Sequence, residues 1–309
     1  MHKKILVTGS TGFVGQNLIP YLEKHHYTSI GVSRTASKQT INYTTLAEHG
    51  WDNAFAIIHL AGKAHDLKNS SDDQAYFDVN TELTKNLFQQ FLKSDCSIFI
   101  YMSSVKAVAD TVEGNLKETV KPNPITAYGK SKIAAENYIL NHKLPKNKKA
   151  YILRPCMIHG PGNKGNLNLL YQIVAKGIPY PLGAFDNKRS FLSVENLCFA
   201  IYTLLEKQPE SAIFNLADDE AISTTKLIEI IGKASGKNTR IWKLPKSLIH
   251  LLASIGSALK LPFNQERLEK LTENYKVDNS LLKNTLTIQL PISTEEGLTT
   301  TIQSFQEKK

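Results

Sequence analysis

The sequence has 309 residues, of which 41% are hydrophobic and 21% charged, and its formal net charge is +9. That length and hydrophobic content can bury a full core, as one large domain or as a domain with a smaller lobe. The cysteines Cys96, Cys156 and Cys198 are far apart and form no C-x-x-C pair, which argues against a disulfide framework or a thiolate metal site and favours a reducing, cytoplasmic location.

The positive charge is scattered along the chain, and only Lys146 to Lys149 form a cluster. This pattern favours small phosphate ligands over nucleic acid as the partner. The apolar run Ile5–Val7 ends at a glycine turn and is too short to be the core of a signal peptide. The stretch 248–261 falls short of the roughly 20 apolar residues that span a bilayer, so it predicts a packed helix rather than a transmembrane segment.

Strand-like and helical patterns alternate over the first half of the chain, which predicts a doubly wound parallel α/β sheet of the Rossmann type. The predicted strands are Lys4–Thr8, Ser29–Ser33, Ala54–Leu60, Ile98–Met102 and Ala150–Pro155. The predicted helices between them cover about residues 13–25, 73–93 and 127–142.

After residue 160 the pattern predicts helices near 165–176, 194–206, 223–235 and 245–260. We therefore expect a dinucleotide-binding domain over residues 1–160, to which about 186–210 return, and a smaller substrate-binding lobe formed mainly by 161–309. No internal repeat or long polar linker separates the two parts.

A glycine-rich turn joins the first strand to the first helix, with Gly9, Gly12 and Gly15 in the spacing G-x-x-G-x-x-G. Such glycines permit a tight turn and a close approach of the backbone to a pyrophosphate, which the helix N-terminus attracts. The turn therefore predicts dinucleotide binding by the residues Gly9, Thr11, Gly12, Phe13, Val14 and Gly15.

The second strand ends at Ser33 and Arg34, where an NAD site usually carries an acidic residue for the ribose hydroxyls. No aspartate or glutamate occurs between Glu23 and Glu48. A guanidinium at that place pairs with a 2′-phosphate. We therefore predict NADP(H), read by Ser33 and Arg34, with NAD(H) as the alternative if Arg34 is only a surface residue.

Ser104 follows the strand that ends at Met102, and Tyr128 and Lys132 begin a helix four residues apart, so they share one helix face. An ammonium beside a tyrosine lowers its pKa from about 10 toward neutrality, which allows acid–base catalysis. The three residues predict a site in which Tyr128 transfers the proton, Lys132 tunes it and Ser104 orients the reacting oxygen.

These motifs resemble the extended short-chain dehydrogenase/reductases, also called the NAD-dependent epimerase/dehydratase family. The resemblance extends over most of the chain, through 59–62 (H-x-A-G), 79–84 (V-N-x-x-x-T), 124–132 (P-x-x-x-Y-x-x-S-K), 154–161 (R-P-x-x-x-x-G-P) and 189–194 (R-x-F-x-x-V). It implies further cofactor contacts from Leu60, Ala61, Gly62, Asn80, Lys132 and Pro155. It also implies substrate contacts from Ser104, Lys106, Asn166 and Arg189, with Arg189 at the nucleotide diphosphate, while Lys106 is equally compatible with a solvated position.

The resemblance implies an enzyme that acts on a nucleotide-linked sugar. Val105 and Lys106 stand where 4,6-dehydratases carry their catalytic Asp-Glu pair, so dehydration is not expected. Similarity to reductases of UDP-4-keto-6-deoxy-N-acetylhexosamines predicts 4-keto reduction in surface-polysaccharide synthesis. The alternatives are a UDP-hexose or UDP-N-acetylhexosamine 4-epimerase and a non-catalytic NAD(P)-sensing protein, and a homodimer is compatible with each. His59, His65 and His159 lack ligand spacing, so no metal site is predicted.

Overall fold

The computed structural model describes residues 3–37, 40–64, 73–163, 166–259, 261 and 263–306, without the side chains of Asn166 and Lys270. The strands are β1 Lys4–Thr8, β2 Thr28–Ser33, β3 Thr40–Asn42, β4 Ala54–His59, β5 Ile98–Met102, β6 Asn115–Leu116, β7 Lys149–Pro155, β8 Met157–His159, β9 Lys188–Arg189, β10 Phe191–Ser193, β11 Ala212–Leu216, β12 Ile222–Ser223 and β13 Lys276–Val277.

The helices follow the same chain order. They are α1 Phe13–Lys24, α2 Tyr43–Thr45, α3 Gln74–Phe77, α4 Leu83–Lys93, α5 Ala127–Leu140, α6 Asn166–Ala175, α7 Val194–Lys207, α8 Thr224–Ser235, α9 Lys246–Ala258, α10 Gln265–Thr272, α11 Ser280–Leu286 and α12 Thr294–Gln306. A π-helical turn, Asp78–Glu82, joins α3 to α4, and a 3₁₀ turn, Val105–Ala107, follows β5.

Seven strands form one parallel sheet in the order β11-β7-β5-β4-β1-β2-β3. This confirms the predicted α/β class. Because all strands run in one direction, the carboxyl ends of β1, β4 and β5 meet at one edge of the sheet, which is where ligands bind in open α/β folds. The chain returns late to the sheet, because β11 pairs with β7 on the outer side.

Each face of the sheet is covered by its own apolar cluster. Alternate residues of β1 point to opposite faces, so Ile5 packs in a cluster with Leu18 of α1, whereas Leu6 packs in a second cluster with Phe88 of α4. The hydrophobic runs of the central strands follow from this burial on both faces.

A third apolar cluster forms the core of the lobe after residue 160, with Leu227 and Ile231 of α8 beside Leu298 and Ile302 of α12. Helix α9 includes most of the stretch that the sequence predicts as a packed helix. It contacts the core along one stripe only, and much of its remaining surface is apolar and exposed. No helix in the described ranges is long and apolar enough to cross a membrane.

Candidate active site

The glycine turn lies between β1 and α1 at the carboxyl edge of the sheet. Gly9 has a φ of +66°, and a Cβ there would lie 2.8 Å from the backbone nitrogen of Ala61. A Cβ on Gly15 would lie 2.6 Å from the carbonyl oxygen of Gly9, so α1 packs directly on the turn. Gly12 precedes α1 without a side-chain cap, which leaves the amides of the first helical turn available to an anion. Thr11 is exposed, and Phe13 and Val14 are half-buried.

A buried histidine ties this turn to the neighbouring strand. The Thr84 hydroxyl donates to the carbonyl oxygen of Asn80, so it accepts from His59 Nε2 at 2.9 Å. His59 Nδ1 then accepts from the Thr8 hydroxyl at 2.6 Å, and the Thr8 oxygen accepts from the amide of Ala61 at 3.1 Å. Burial lowers the pKa of His59 to about 3, so the ring is neutral, and the tautomer with the proton on Nε2 satisfies both hydrogen bonds of the ring.

The segment after β4 borders the same space. Asn80 is buried and holds the backbone of Lys63 from both sides, accepting from its amide at 2.8 Å and donating to its carbonyl at 3.0 Å. A Cβ on Gly62 would lie 3.0 Å from both Asn80 Oδ1 and Lys132 Nζ. The predicted cofactor residues of this segment, Leu60, Ala61 and Gly62, therefore line up beside the glycine turn and Lys132.

Tyr128, Lys132 and Ser104 come together where α5 crosses the carboxyl end of β5. Lys132 is buried, and its ammonium donates to the carbonyl oxygen of Met102 at 2.8 Å. Burial raises the pKa of the Tyr128 hydroxyl above its usual value, whereas a hydrogen bond with Ser104 opposes the increase. The direction is opposite to the lowering expected from Lys132 in the sequence analysis, and the contribution that favours the ionised form comes from Ser104.

A buried ion pair lies one helical turn beyond Lys132. Arg154 of β7 donates through Nε to both carboxylate oxygens of Glu136, at 3.0 and 3.1 Å, and through Nη2 at 2.5 Å, while Ser103 donates its hydroxyl to the same carboxylate. Burial lowers the pKa of Lys132 to about 8, and the Glu136 carboxylate opposes that decrease. Sequence reasoning missed Glu136, although Tyr128, Lys132 and Glu136 recur every fourth residue on one helix face.

The pKa of Lys132 predicts how stability depends on pH. Since the folded-state value of about 8 lies below the ordinary 10.5, the unfolded chain binds the extra proton between these values, and stability rises with pH in that range. We expect the difference in unfolding free energy between wild type and Lys132→Met to change by about 2 kcal/mol between pH 7 and 9.5. Urea titrations at both values measure it, and an unchanged difference would contradict the low pKa.

The residues predicted to read the cofactor ribose lie at the end of β2. The Ser33 hydroxyl is bonded to the Thr40 hydroxyl at 3.3 Å and donates to the Thr35 carbonyl. Arg34 is exposed, and its charge opposes the burial that raises the pKa of Tyr43. The guanidinium is accordingly accessible to a ligand at this edge.

Two cations predicted to contact substrate meet at a tyrosine that sequence reasoning did not single out. The Lys106 ammonium lies 4.3 Å from the Tyr275 ring centroid and donates to the Asp110 carbonyl at 2.7 Å. Arg189 forms an ion pair of 3.1 Å with Glu273, and its charge opposes the burial that raises the pKa of Tyr275. Lys106 is therefore held by these two contacts rather than freely solvated. Both cations lie near the Tyr275 ring, and Lys106 belongs to the 3₁₀ turn that follows Ser104.

Three other residues named in the sequence analysis are Pro155, Asn166 and His65. Pro155 is buried at the end of β7, and the side chain of Asn166 and all of His65 lie outside the described residues. Among residues whose side chains are described, no three histidine, cysteine, aspartate or glutamate side chains gather as metal ligands.

The arrangement fits a nicotinamide dinucleotide. Side chains at Gly12 or Gly62 would reduce the space beside the glycine turn. A Cβ on Gly12 would lie only 3.1 Å from the Gly9 carbonyl oxygen. The free amides of α1 suit the diphosphate, and the Lys132 ammonium at the Gly62 gap suits ribose hydroxyls.

Comparison with known proteins gives consistent matches. The model of the "NAD dependent epimerase/dehydratase family" matches residues 5–217. The chain is 33% identical to a UDP-glucose 4-epimerase of Vibrio cholerae, over 99% of this chain and 96% of that protein. It is 27% identical to an N-acetyl-alpha-D-glucosaminyl-diphospho-ditrans,octacis-undecaprenol 4-epimerase of Escherichia coli O157:H7, over 80% and 77% of the two chains. The structure of a UDP-N-acetylglucosamine 4-epimerase from Bacillus cereus superposes with a TM-score of 0.76, at 21% identity and 99% coverage of both chains.

Proposed function

Since the chain belongs to the NAD-dependent epimerase/dehydratase family and is an enzyme of it, we propose that it inverts C4 of a hexose or N-acetylhexosamine carried on UDP. The observation that carries the proposal is the grouping of Tyr128, Ser104 and Lys132 beside the glycine turn. These groups suit reversible oxidation of a secondary alcohol, the chemistry that C4 inversion requires.

A bound nicotinamide dinucleotide supplies a hydride acceptor and donor. Around it, Tyr128 Oη takes the proton of the C4 hydroxyl and later returns it, and Ser104 donates a hydrogen bond that fixes the sugar oxygen. In this proposal Lys132, one helical turn from Tyr128, supplies the positive charge that favours the phenolate form during the reaction. The Met102 carbonyl fixes the position of the Lys132 ammonium, and the Glu136 carboxylate favours its charged form.

The residues beside Ser104 oppose a dehydratase reaction. Val105 is buried, and the Lys106 ammonium is bonded to the Asp110 carbonyl. Neither side chain can protonate a leaving hydroxyl and remove a C5 proton as a carboxylate pair does. The same neighbourhood suits a diphosphate, because the Lys106 ammonium and the Arg189 guanidinium, which also pairs with Glu273, both lie near Tyr275.

The names of two relatives support inversion over simple reduction, although nucleotide-sugar reductases are also among the matches. Both sequence relatives described above are named as 4-epimerases, and each name specifies a sugar on a diphosphate.

The three cysteines are free and buried, which favours the reducing cytoplasm where the proposed enzyme would work.

The second candidate is the 4-keto reduction of a UDP-linked 6-deoxy-N-acetylhexosamine, and the exposed Arg34 favours it. A reductase must exchange its dinucleotide in every cycle, and a guanidinium at the ribose favours NADPH. An epimerase regenerates its dinucleotide within each turnover, so the cofactor can remain bound.

Replacing Arg34 with alanine tests the cofactor preference. If the guanidinium contacts a 2′-phosphate, Arg34→Ala weakens the binding of NADPH by about 1.5–3 kcal/mol more than the binding of NADH, because a charge-assisted hydrogen bond is lost. Titration calorimetry with both cofactors measures the difference, with Lys24→Ala on the last turn of α1 as the control. Equal weakening of the binding of both cofactors would show that Arg34 does not read a 2′-phosphate.

One incubation separates the two reactions. The proposed epimerase equilibrates UDP-glucose with UDP-galactose, or their N-acetylamino forms, with no net consumption of cofactor. Product sugars are resolved by chromatography while absorbance follows NADH and NADPH. Stoichiometric oxidation of NADPH by a UDP-4-keto-6-deoxy-N-acetylhexosamine, without interconversion of any C4 pair, would overturn the epimerase proposal in favour of the reductase.

A further inference from the structure

Helix α9 is apolar on two sides, and only one of them is used by the core. Ile249, Ala253 and Gly256 face inward, and Ile249 and Ala253 join the core of the lobe. A second set of apolar residues, which we call the outer leucine face, is exposed to between 41% and 65%. It consists of Leu248, Leu251, Leu252 and Ile255 on α9 and of Leu259 and Leu261, which follow its last residue.

This face differs from the ordinary exposed leucines of a protein surface. Single exposed apolar residues are common, but a contiguous apolar patch marks an interaction surface. Leu248, Leu251, Leu252 and Ile255 follow the i, i+3, i+4, i+7 spacing, so they form one continuous stripe along the helix. None of them takes part in the catalytic grouping of Tyr128, Ser104 and Lys132.

The sequence around the outer leucine face is strongly basic. Between Ile230 and Gln265 it contains six basic residues and no aspartate or glutamate, namely Lys233, Lys237, Arg240, Lys243, Lys246 and Lys260. Lys243 and Lys246 are exposed at the N-terminal end of α9. A basic margin beside an apolar helical face is complementary to a surface that is negatively charged above an apolar interior.

A half-exposed tryptophan stands at the same end of the face. Trp242 is 51% exposed, although its backbone is fixed by a bond from its amide to the Tyr180 carbonyl at 2.9 Å. Tryptophan side chains are enriched where an apolar phase meets water. Its position next to Lys243 repeats the combination of aromatic and basic groups found in interfacial helices.

A second copy of this chain suits the face less well. Symmetric contact would bring Lys243 and Lys246 of one copy toward the basic residues of the other, with repulsion between like charges.

From this combination we propose that the outer leucine face of α9 docks on an anionic lipid membrane, with Trp242 and Lys243 at the headgroup level. The helix lies in the plane of the interface, and its Leu251 and Ile255 enter the acyl boundary. The proposal does not depend on which C4 reaction the enzyme performs.

Vesicle binding of the full chain tests the proposal, because Trp242 is a built-in probe. The other tryptophan, Trp51, is buried at 8% exposure in the dinucleotide-binding half and is not expected to change. Vesicles of equal parts phosphatidylglycerol and phosphatidylcholine should sediment the protein and shift its emission to the blue. Pure phosphatidylcholine vesicles, or high salt, should weaken the binding because the charge attraction is removed or screened.

Matched variants distinguish binding through the outer leucine face from nonspecific binding by other exposed apolar residues. Leu251→Glu should lower the bound-to-free ratio at least about tenfold, since a charge replaces an inserted leucine. Leu140→Glu on α5 is the control, because Leu140 is 53% exposed and Leu251 57%. Lys243→Glu should lower binding about fivefold or more, whereas the exposed Lys146→Glu should change it little. Circular dichroism and C4 turnover should be unchanged in all four variants.

Three results would overturn the proposal. They are absence of binding to anionic vesicles, equal losses from Leu251→Glu and Leu140→Glu, and a change of native mass by Leu251→Glu in lipid-free buffer. The last result would assign the outer leucine face to contacts between copies of the chain, whatever the outcome of the sugar assays.

Discussion

Tyr128→Phe is expected to reduce kcat by a factor of about 10² to 10⁴, the usual contribution of a positioned acid–base group. The substitution removes one oxygen, which the half-buried ring directs toward Ser104. Packing of the ring is retained, so the fold and dinucleotide affinity should be unchanged. Steady-state kinetics with the C4 substrate pair and calorimetric titration of the cofactor measure the two properties.

Tyr76→Phe is the matched control, because the rings of Tyr76 and Tyr128 lie 6.2 Å apart. We expect it to retain most of the activity. A near-wild-type kcat in Tyr128→Phe would remove this residue from the proposed mechanism, and an equal loss in both variants would indicate a packing effect instead of proton transfer.

Glu136→Ala is expected to lower the free energy of unfolding by about 3–5 kcal/mol, because it leaves the Arg154 guanidinium buried without its counter-ion. Glu136 is fully buried, and the side chain of Arg154 is only 3% exposed. The loss should appear in urea or guanidinium unfolding at neutral pH. Activity of the protein that remains folded should also fall, since Glu136 supports the charge of Lys132.

Glu82→Ala provides the control for this prediction. Glu82 pairs with Lys85 on the surface, where its side chain is 60% exposed, and such pairs contribute about 1 kcal/mol or less. Similar losses in Glu136→Ala and Glu82→Ala would show that the buried pair does not stabilise the fold as its geometry indicates.

The strands near the site could be predicted because sequence alone carries their signals. Continuous apolar runs identify buried parallel strands, and β1 and β5 have the predicted bounds. Two further signals are local patterns that can be recognised without knowledge of the fold: the spacing of Gly9, Gly12 and Gly15, and the four-residue step from Tyr128 to Lys132.

Features that depend on strand register could not be predicted. Thr8 meets His59 because β1 and β4 pair in that register, and Arg154 reaches Glu136 only when β7 lies beneath α5. The π-helical turn at 78–82 also interrupts what the sequence predicts as one regular helix. For α9, periodicity identified the helix, but an apolar pattern cannot tell which side the core covers.

Several buried hydrogen bonds join residues that are far apart in the chain. His159 bonds Thr301 at 2.9 Å across 142 residues, and Asn196 donates to the Ile292 carbonyl across 96 residues. During synthesis, the sheet lacks its outer strand β11 until residue 216 is made, and His159 lacks its partner until α12 follows. The sheet and this hydrogen bond are therefore complete only after most of the chain has been made. Folding should be slow and largely post-translational, and a nascent chain stalled before α12 should be a preferred substrate for chaperones and proteases.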